Sequence, residues 1–258
     1  MGELVRITDD RGVATITLDS QHNRNALSRQ LVAELHECLD AAEAADARAV
    51  VLTHDGPAFC AGADLKERSS GPPDSSPFVQ VLERLMDTDR PTIAAVNGAV
   101  RAGGIGLMAS CDLVVVDGSV TFALTEVRIG VAPAIISVPI LRRVAPGAIA
   151  SAMLTGEAFD AAEARSIGLV THVADDVAAM VAELCEGIRA GAPTAVAATK
   201  RMLADVPTLD RATAFERMRA LSDDMFQGAD AAEGMAAFRE KRRPAWDARL
   251  DLDGTGAR

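Results

Sequence analysis

Val96-Asn97-Gly98-Ala99-Val100-Arg101-Ala102-Gly103-Gly104-Ile105-Gly106-Leu107 is the stretch on which the fold turns. An apolar run, Thr92 to Val96, leads into it, and another, Leu113 to Val116, follows it. Between them lie four glycines and a short helix-compatible segment, Ile105 to Ser110. Glycine has no Cβ, so a ligand can approach the peptide plane and bond to its N–H. If Gly103 and Gly104 open a helix, their N–H groups are left without intrahelical partners. Such amides can hold a phosphate, or an oxygen that becomes negative only in a transition state.

A second stretch, Ala58-Phe59-Cys60-Ala61-Gly62-Ala63-Asp64-Leu65-Lys66-Glu67, follows the apolar strand Ala49 to Leu52 and again sets small residues at a strand-to-helix transition. Asn25-Ala26-Leu27, Phe122 to Gly130 around Glu126, Leu154-Thr155-Gly156 with Ala161 to Val170, and Glu233 to Pro244 complete an ordered set of six. The set closely resembles the crotonase (enoyl-CoA hydratase/isomerase) superfamily over nearly the whole chain.

Composition bounds the rest. The chain has 258 residues, 49% of them hydrophobic, which suits one large domain or one domain with a helical extension. A formal charge of −11 disfavours a nucleic-acid partner, and 3% aromatic content disfavours base stacking. Lys241-Arg242-Arg243 still offers a local basic cluster for an anionic ligand. Cys38, Cys60, Cys111 and Cys185 have no paired spacing and read as thiols in a reducing compartment, and the four scattered histidines form no metal motif. Cys60 reads either as a packing thiol or as a reactive group in the site loop. No charged-then-apolar opening stretch and no apolar run long enough for a bilayer is present, so no membrane partner is expected and the cytoplasm is the default.

Along the chain, Leu4–Ile7 and Val13–Leu18 read as a hairpin about Gly12. A helix runs from about Arg29 to Ala45 with Ser28 as N-cap and Leu31, Leu35, Cys38 or Leu39, and Ala42 as its apolar stripe. Ala49–Leu52 is a strand buried on both faces. The Pro-rich run Ser69 to Pro77 is a surface loop, either a connector or a lip over the site, and Phe78–Met86 is helical. Val120–Phe122 and Leu169–Val173 read as strands, and Ile135–Val144, Ala148–Leu154 and Ala161–Ser166 as helices. Everything after Asp175 reads as helix: Val177–Arg189, Pro193–Ala204, Leu209–Phe226 and Ala229–Lys241, with Pro193 and Pro207 at the starts of new helices. Strand–helix units followed by a helical tail give an α/β fold, doubly wound or spiral.

The resemblance implies the spiral: ββα turns forming two stacked sheets with outer helices, as a core over 1–195. It also implies that a C-terminal helical region, 196–258, assembles a homotrimer, or a dimer of trimers, and completes the sites. The apolar Phe215, Met218, Leu221, Met225 and Phe226 then belong to a core or to a subunit interface. The implied substrate is an acyl-CoA thioester, with coenzyme A part of the substrate and no separate cofactor. The implied catalytic groups are the backbone N–H groups of Ala63 and Gly103, which stabilise an enolate oxygen, and Glu126 as acid/base; an ion pair of Glu126 with Arg128 is the alternative. A first family glutamate matches Gly106, which has no side chain. Implied coenzyme A contacts are Ala26, Leu27, Ala61, Asp64 and Leu65, with Phe238 and Lys241 from a neighbouring subunit. Lys241 otherwise serves as a solvated helix end. Asn25 stands where the family carries a basic residue, with Arg24 beside it.

The preferred activity is enoyl-CoA hydration, the reversible syn addition of water to a 2-enoyl-CoA, in fatty-acid or branched-chain breakdown. Phe122 to Ala134 is similar to a subgroup that hydrates glutaconyl-type acyl-CoAs. The alternatives are an isomerase using Glu126 alone, a non-catalytic acyl-CoA binder, and a dinucleotide oxidoreductase with Asp117 ending the strand after the glycines.

Overall fold

The computed structural model describes residues 3–68 and 74–247. Strands β1 (Val5–Asp10) and β2 (Val13–Leu18) form an antiparallel hairpin with Asp10 opposite Val13. Its two loop residues, Arg11 and Gly12, have φ of 49° and 75°. Two consecutive positive φ values twist the connection in the same sense as the strands, which is why two residues suffice. Helix α1 (Arg29–Ala44) is capped by Ser28, whose Oγ accepts from Leu31 N–H at 3.2 Å, and it buries Leu31, Val32, Leu35, Cys38, Leu39 and Ala42.

Three ββα turns follow. The first is β3 (Ala49–His54), β4 (Ala58–Cys60), the single-turn α2 (Leu65–Arg68) and α3 (Ser76–Asp87). The second is β5 (Thr92–Val96), β6 (Ala99–Arg101) and α4 (Gly103–Ala109). The third is β7 (Leu113–Val116), β8 (Thr121–Ala123) and, beyond a 3₁₀ turn over Thr125–Ile129, α5 (Ala134–Arg143). Then come α6 (Pro146–Thr155), β9 (Ala158–Asp160), α7 (Ala161–Ser166), β10 (His172–Val173), α8 (Val177–Ala190), α9 (Pro193–Asp205), α10 (Arg211–Gln227) and α11 (Ala229–Glu240).

Each ββ pair changes sheet. One sheet has the order β1-β2-β3-β5-β7-β10 and the other β4-β6-β8-β9, which makes the fold a spiral. Side-chain alternation divides the larger sheet. Ile16, Leu18, Val50, Leu52, Ala94, Val96, Val114 and Val116 face the main core together with Phe59, Val100 and Phe122 of the smaller sheet. Val13, Val51, Ile93, Ala95 and Val115 face the other way, onto Val177, Val181 and Cys185 of α8. The continuous apolar runs of β3, β5 and β7 follow from this burial on both faces.

Several boundaries differ from the sequence reading. The α3 helix begins at Ser76 with Pro77 in its first turn, and of the Ser69–Pro77 loop residues 69–73 lie outside the described residues. The strand expected over Leu169–Val173 is reduced to two residues, because the N–H groups of Leu169 and Val170 both go to Ala164 O at the end of α7. Pro207 sits in a 3₁₀ turn, Val206–Thr208, and α10 starts only at Arg211, where Asp210 accepts from Ala212 and Thr213 N–H.

The junction at 195/196 falls in the first turn of α9, and that helix is pinned to the core. Lys200 is 7% exposed; its Nζ lies 2.9 Å from Asp112 Oδ2 and donates to Leu85 O and Arg90 O, each at 3.0 Å. Asp112 in turn accepts from Thr92 N–H at 2.7 Å and Thr92 Oγ at 3.0 Å. Removing one member of such a pair strands the other in a poorly solvated place. Lys200→Met is expected to lower stability by about 3 kcal/mol, read from urea denaturation; an unchanged midpoint would show that α9 is held by other contacts. The α10 helix, by contrast, buries none of its residues, so Phe215, Met218, Leu221, Met225 and Phe226 are not core.

Candidate active site

Three neighbouring parallel strands of the smaller sheet end side by side. β4 pairs with β6 (Ala58 opposite Ala99), and β6 pairs with β8 (Arg101 opposite Ala123). Ligands in such sheets gather beyond the carboxyl ends of the strands. Here those ends run into Ala61-Gly62-Ala63, Ala102-Gly103 and Leu124-Thr125-Glu126.

The first turn is fixed by Leu27, which bridges to Ala63 in parallel sense. Leu27 N–H donates to Gly62 O at 2.8 Å and Leu27 O accepts from Asp64 N–H at 3.5 Å. A parallel bridge of this kind spends neither the N–H nor the C=O of the opposed residue. The N–H of Ala63 therefore points away from Leu27, and it has no partner among the described residues. Gly62 has φ of 90°, and a Cβ there would lie 2.8 Å from Ala102 Cβ, so only glycine fits.

Gly103 begins α4, and its N–H is likewise without a partner among the described residues. The two amides are neighbours: a Cβ on Gly103 would lie 3.9 Å from Ala63 N, and one on Gly62 would lie 3.5 Å from Gly103 N. Ala102, just before, has φ of 48° and ψ of −119°, a strained conformation for a residue with a Cβ. Its N–H is anchored to Ala123 O at 3.0 Å. Arg101 adds a second tie that the sequence reading missed. Its Nη1 donates to Thr121 O at 2.5 Å and its Nη2 to Thr121 Oγ1 at 2.9 Å, stitching β6 to β8.

Glu126 lies in the 3₁₀ turn after β8, half-buried, and its Oε2 is buried without a hydrogen-bond partner among the described residues. Loss of solvent raises its carboxyl above the ordinary glutamate range, because burial penalises the charged form. The ion pair with Arg128 does not form: Arg128 Nε donates to Thr155 O at 2.9 Å. Cys60 is fully buried and its thiol is pushed up to about 12 by burial, so it is a packing thiol rather than a nucleophile.

Ala26 and Leu27 run alongside the first turn. Asn25 explains itself structurally: its Oδ1 accepts from Ser20 N–H at 2.7 Å and its Nδ2 donates to Asp55 O and Ala58 O at 3.0 and 2.8 Å. Ala61 N–H donates to Arg24 O at 3.0 Å. The Asp64 carboxylate accepts from Lys66 and Glu67 N–H and so caps α2, at whose start Leu65 is exposed. Ala26, Leu27, Ala61, Ala63, Asp64, Leu65, Gly103 and Glu126 thus lie at or beside the same strand ends. Phe238 and Lys241 are not brought there: α11 packs on α10, and Phe238 is 85% exposed. Arg242 of the basic cluster is committed to Glu233 and Glu240. Asp117 accepts from Ser119 N–H at 2.8 Å, which closes its own turn. Among the described residues no group of three His, Cys, Asp or Glu side chains could hold a metal.

Gly106 lies one turn after Gly103 on the same face of α4. A Cβ there would fall 2.3 Å from Ile136 Cγ2 and 3.2 Å from Ile136 Cα, so α5 has closed onto the bare backbone. Nothing in the sequence pairs these two positions. Gly106→Ala is expected to cost about 1–3 kcal/mol by overpacking, read as a lower urea midpoint; no change would mean that α5 recedes freely.

Two neighbouring unpaired amides can stabilise an oxyanion, and a desolvated carboxyl on the turn after the adjacent strand can move a proton. Comparison with known proteins identifies the family. A family sequence model described as "Enoyl-CoA hydratase/isomerase" matches residues 8–249. A putative enoyl-CoA hydratase of Thermus thermophilus is 38% identical over 244 residues, covering 90% of this chain and 96% of that protein. The mouse mitochondrial methylglutaconyl-CoA hydratase is 28% identical over 252 residues, 92% of this chain and 80% of that protein. The crystal structure of a Mycobacterium smegmatis enoyl-CoA hydratase superposes with a TM-score of 0.87 at 32% identity, covering 95% of this chain and 99% of that one. Fold, strand-end geometry and sequence therefore converge: the chain belongs to the enoyl-CoA hydratase/isomerase family and has the crotonase fold.

Proposed function

We propose that the protein is an enoyl-CoA hydratase that adds water reversibly across the C2=C3 bond of a 2-enoyl-CoA. The observation that carries this reading is that the neighbouring amides of Ala63 and Gly103, unpaired among the described residues, stand at the ends of β4 and β6, while Glu126, whose Oε2 lacks a partner there, follows the adjacent strand β8. The thioester oxygen lies between the amides. Ionised Glu126 takes a proton from water as the water oxygen bonds to C3, the C2=C3 π pair shifts to C1=C2 and the carbonyl π pair onto the thioester oxygen; Glu126 then gives a proton to C2 as the carbonyl re-forms. One carboxylate serving both steps from one side gives syn addition. A pKa raised toward the working pH suits a group that must take and return a proton.

Ala26, Leu27, Ala61, Asp64 and Leu65 line the coenzyme A groove in this reading, and Phe238 and Lys241 reach the coenzyme A bound to a neighbouring copy. The 196–258 helices assemble the homotrimer, or a dimer of trimers, on the 1–195 core; the exposed Phe215, Phe226 and Phe238 supply apolar surface for it. No helix among the described residues is long and apolar enough to cross a membrane. Four free, buried cysteines fit a reducing, cytoplasmic setting; fatty-acid or branched-chain acyl-CoA breakdown is the role that follows from the proposed reaction.

The packing of Ile136 on Gly106 favours a second reading, isomerisation by Glu126 alone, since position 106 carries no side chain and the nearest atoms there all belong to Ile136. Purified protein with crotonyl-CoA should bleach the conjugated enoyl-thioester absorbance and yield 3-hydroxybutyryl-CoA. Appearance of that absorbance from a 3-enoyl-CoA, with crotonyl-CoA untouched, would support the isomerase. Tight binding of both without change would mark a non-catalytic binder.

A further inference from the structure

Gly103 opens the site, and one turn on, the same face of α4 reaches Gly106. The volume there is filled by Ile136, which is 4% exposed and sits in the first turn of α5; its Cβ lies 2.6 Å and its Cγ2 2.3 Å from where a Cβ on 106 would be. The segment leading to α5 is fastened to the carboxylate turn, since Val131 N–H donates to Glu126 O at 3.1 Å. A branched alkyl group with no hydrogen-bonding atom therefore covers α4 one turn beyond Gly103, on a segment tied to the Glu126 turn.

We propose that Ile136 is a specificity-determining residue that sets the balance between adding water at C3 and moving a proton along the acyl chain. The inference rests on the enoyl-CoA reading above. Both reactions pass through a thioester enolate. Hydration forms the O–C3 bond, breaks the C2=C3 π bond, and returns one proton to C2 through Glu126. In isomerisation of a 3-enoyl thioester, Glu126 removes a proton from C2 and returns it to C4 while the π pair moves from C3=C4 to C2=C3, and no water is consumed. A water is held only where it finds two or more polar partners. Glu126 is one; the Ile136 wall offers none. The wall gives the attacking water one hold fewer than a polar residue there would, and it leaves the proton shuttle unaffected.

Ile136→Val and Ile136→Thr have nearly the same shape and differ by a methyl against a hydroxyl. Each, with the unaltered enzyme, is assayed on crotonyl-CoA for hydration and on 3-hexenoyl-CoA for isomerisation. The hydration-to-isomerisation ratio of the Thr variant is expected to exceed that of the Val variant by roughly three- to tenfold, the worth of one added hydrogen bond. A ratio of two activities in one preparation does not move when part of the protein is unfolded, so lower stability of the Thr variant does not mimic the effect. Should that variant fail to fold, Ile136→Ala, which opens the same point to water, must raise the ratio above that of the unaltered enzyme. Equal ratios, or hydration alone in every variant, overturn the role of Ile136 and leave the hydratase reading standing. No turnover of either substrate by the unaltered enzyme sinks the enoyl-CoA reading, and this inference with it.

Discussion

Glu126→Gln is expected to lower kcat for hydration by roughly 10²- to 10⁴-fold while leaving the Kd for an enoyl-CoA unchanged. The amide is nearly isosteric, and Glu126 Oε2 has no partner to lose among the described residues, so the turn should keep its shape. What is lost is the proton acceptor. In the unaltered enzyme the same carboxyl gives the pH profile its acidic limb. Burial raises its pKa, and the base form is the ionised one, so kcat/KM falls as pH drops through that raised value. The Gln variant should lack this limb in its residual activity. Stopped assays on matched, folded preparations decide the matter, and near-normal turnover by Glu126→Gln would remove the acid/base assignment.

The second large effect is expected at Gly103. A side chain there starts 2.7 Å from Leu27 Cδ1 and 3.9 Å from Ala63 N, so the branches of a valine enter the space between the two amides. The Leu27 contact is with the end of a flexible side chain, which can turn aside. The filled space is not recoverable in that way. Gly103→Val should therefore fold yet lose about 10²–10³ in kcat, the usual consequence of disabling one oxyanion donor. Thermal melting checks the first half of that statement and single-turnover rates the second. Full activity in a folded Gly103→Val protein would place the thioester oxygen elsewhere.

Much of the larger sheet was legible in the sequence because its strands carry strong local signals. β2 alternates, and β3, β5 and β7 contain unbroken apolar runs, Ala49–Leu52, Ile93–Val96 and Leu113–Val116. The smaller sheet was nearly invisible. β4, β6 and β9 have three residues each, too short for a period-two pattern to register, and they exist because neighbouring strands and core side chains hold them. The site is built on that sheet, so residue patterns alone showed glycines without the strands that aim them. Family likeness points to Ala63, Gly103 and Glu126, and the structure sets them on the ends of three neighbouring parallel strands in the order β4-β6-β8. Ile136 could not be read, since its contact with Gly106 joins residues thirty positions apart through packing alone. The Glu126–Arg128 alternative looked natural from adjacency. It fails because a 3₁₀ turn sends the two side chains different ways, Arg128 to Thr155 O and Glu126 inward.

The central claim is that one thioester oxygen is gripped by two main-chain amides from separate turns. A crystal structure of the Glu126→Gln protein with crotonyl-CoA tests it most directly. The account predicts that oxygen about 2.7–3.1 Å from both Ala63 N and Gly103 N, with the acyl C2 facing residue 126. An oxygen out of reach of either amide, or amides already bonded within the protein, would contradict it.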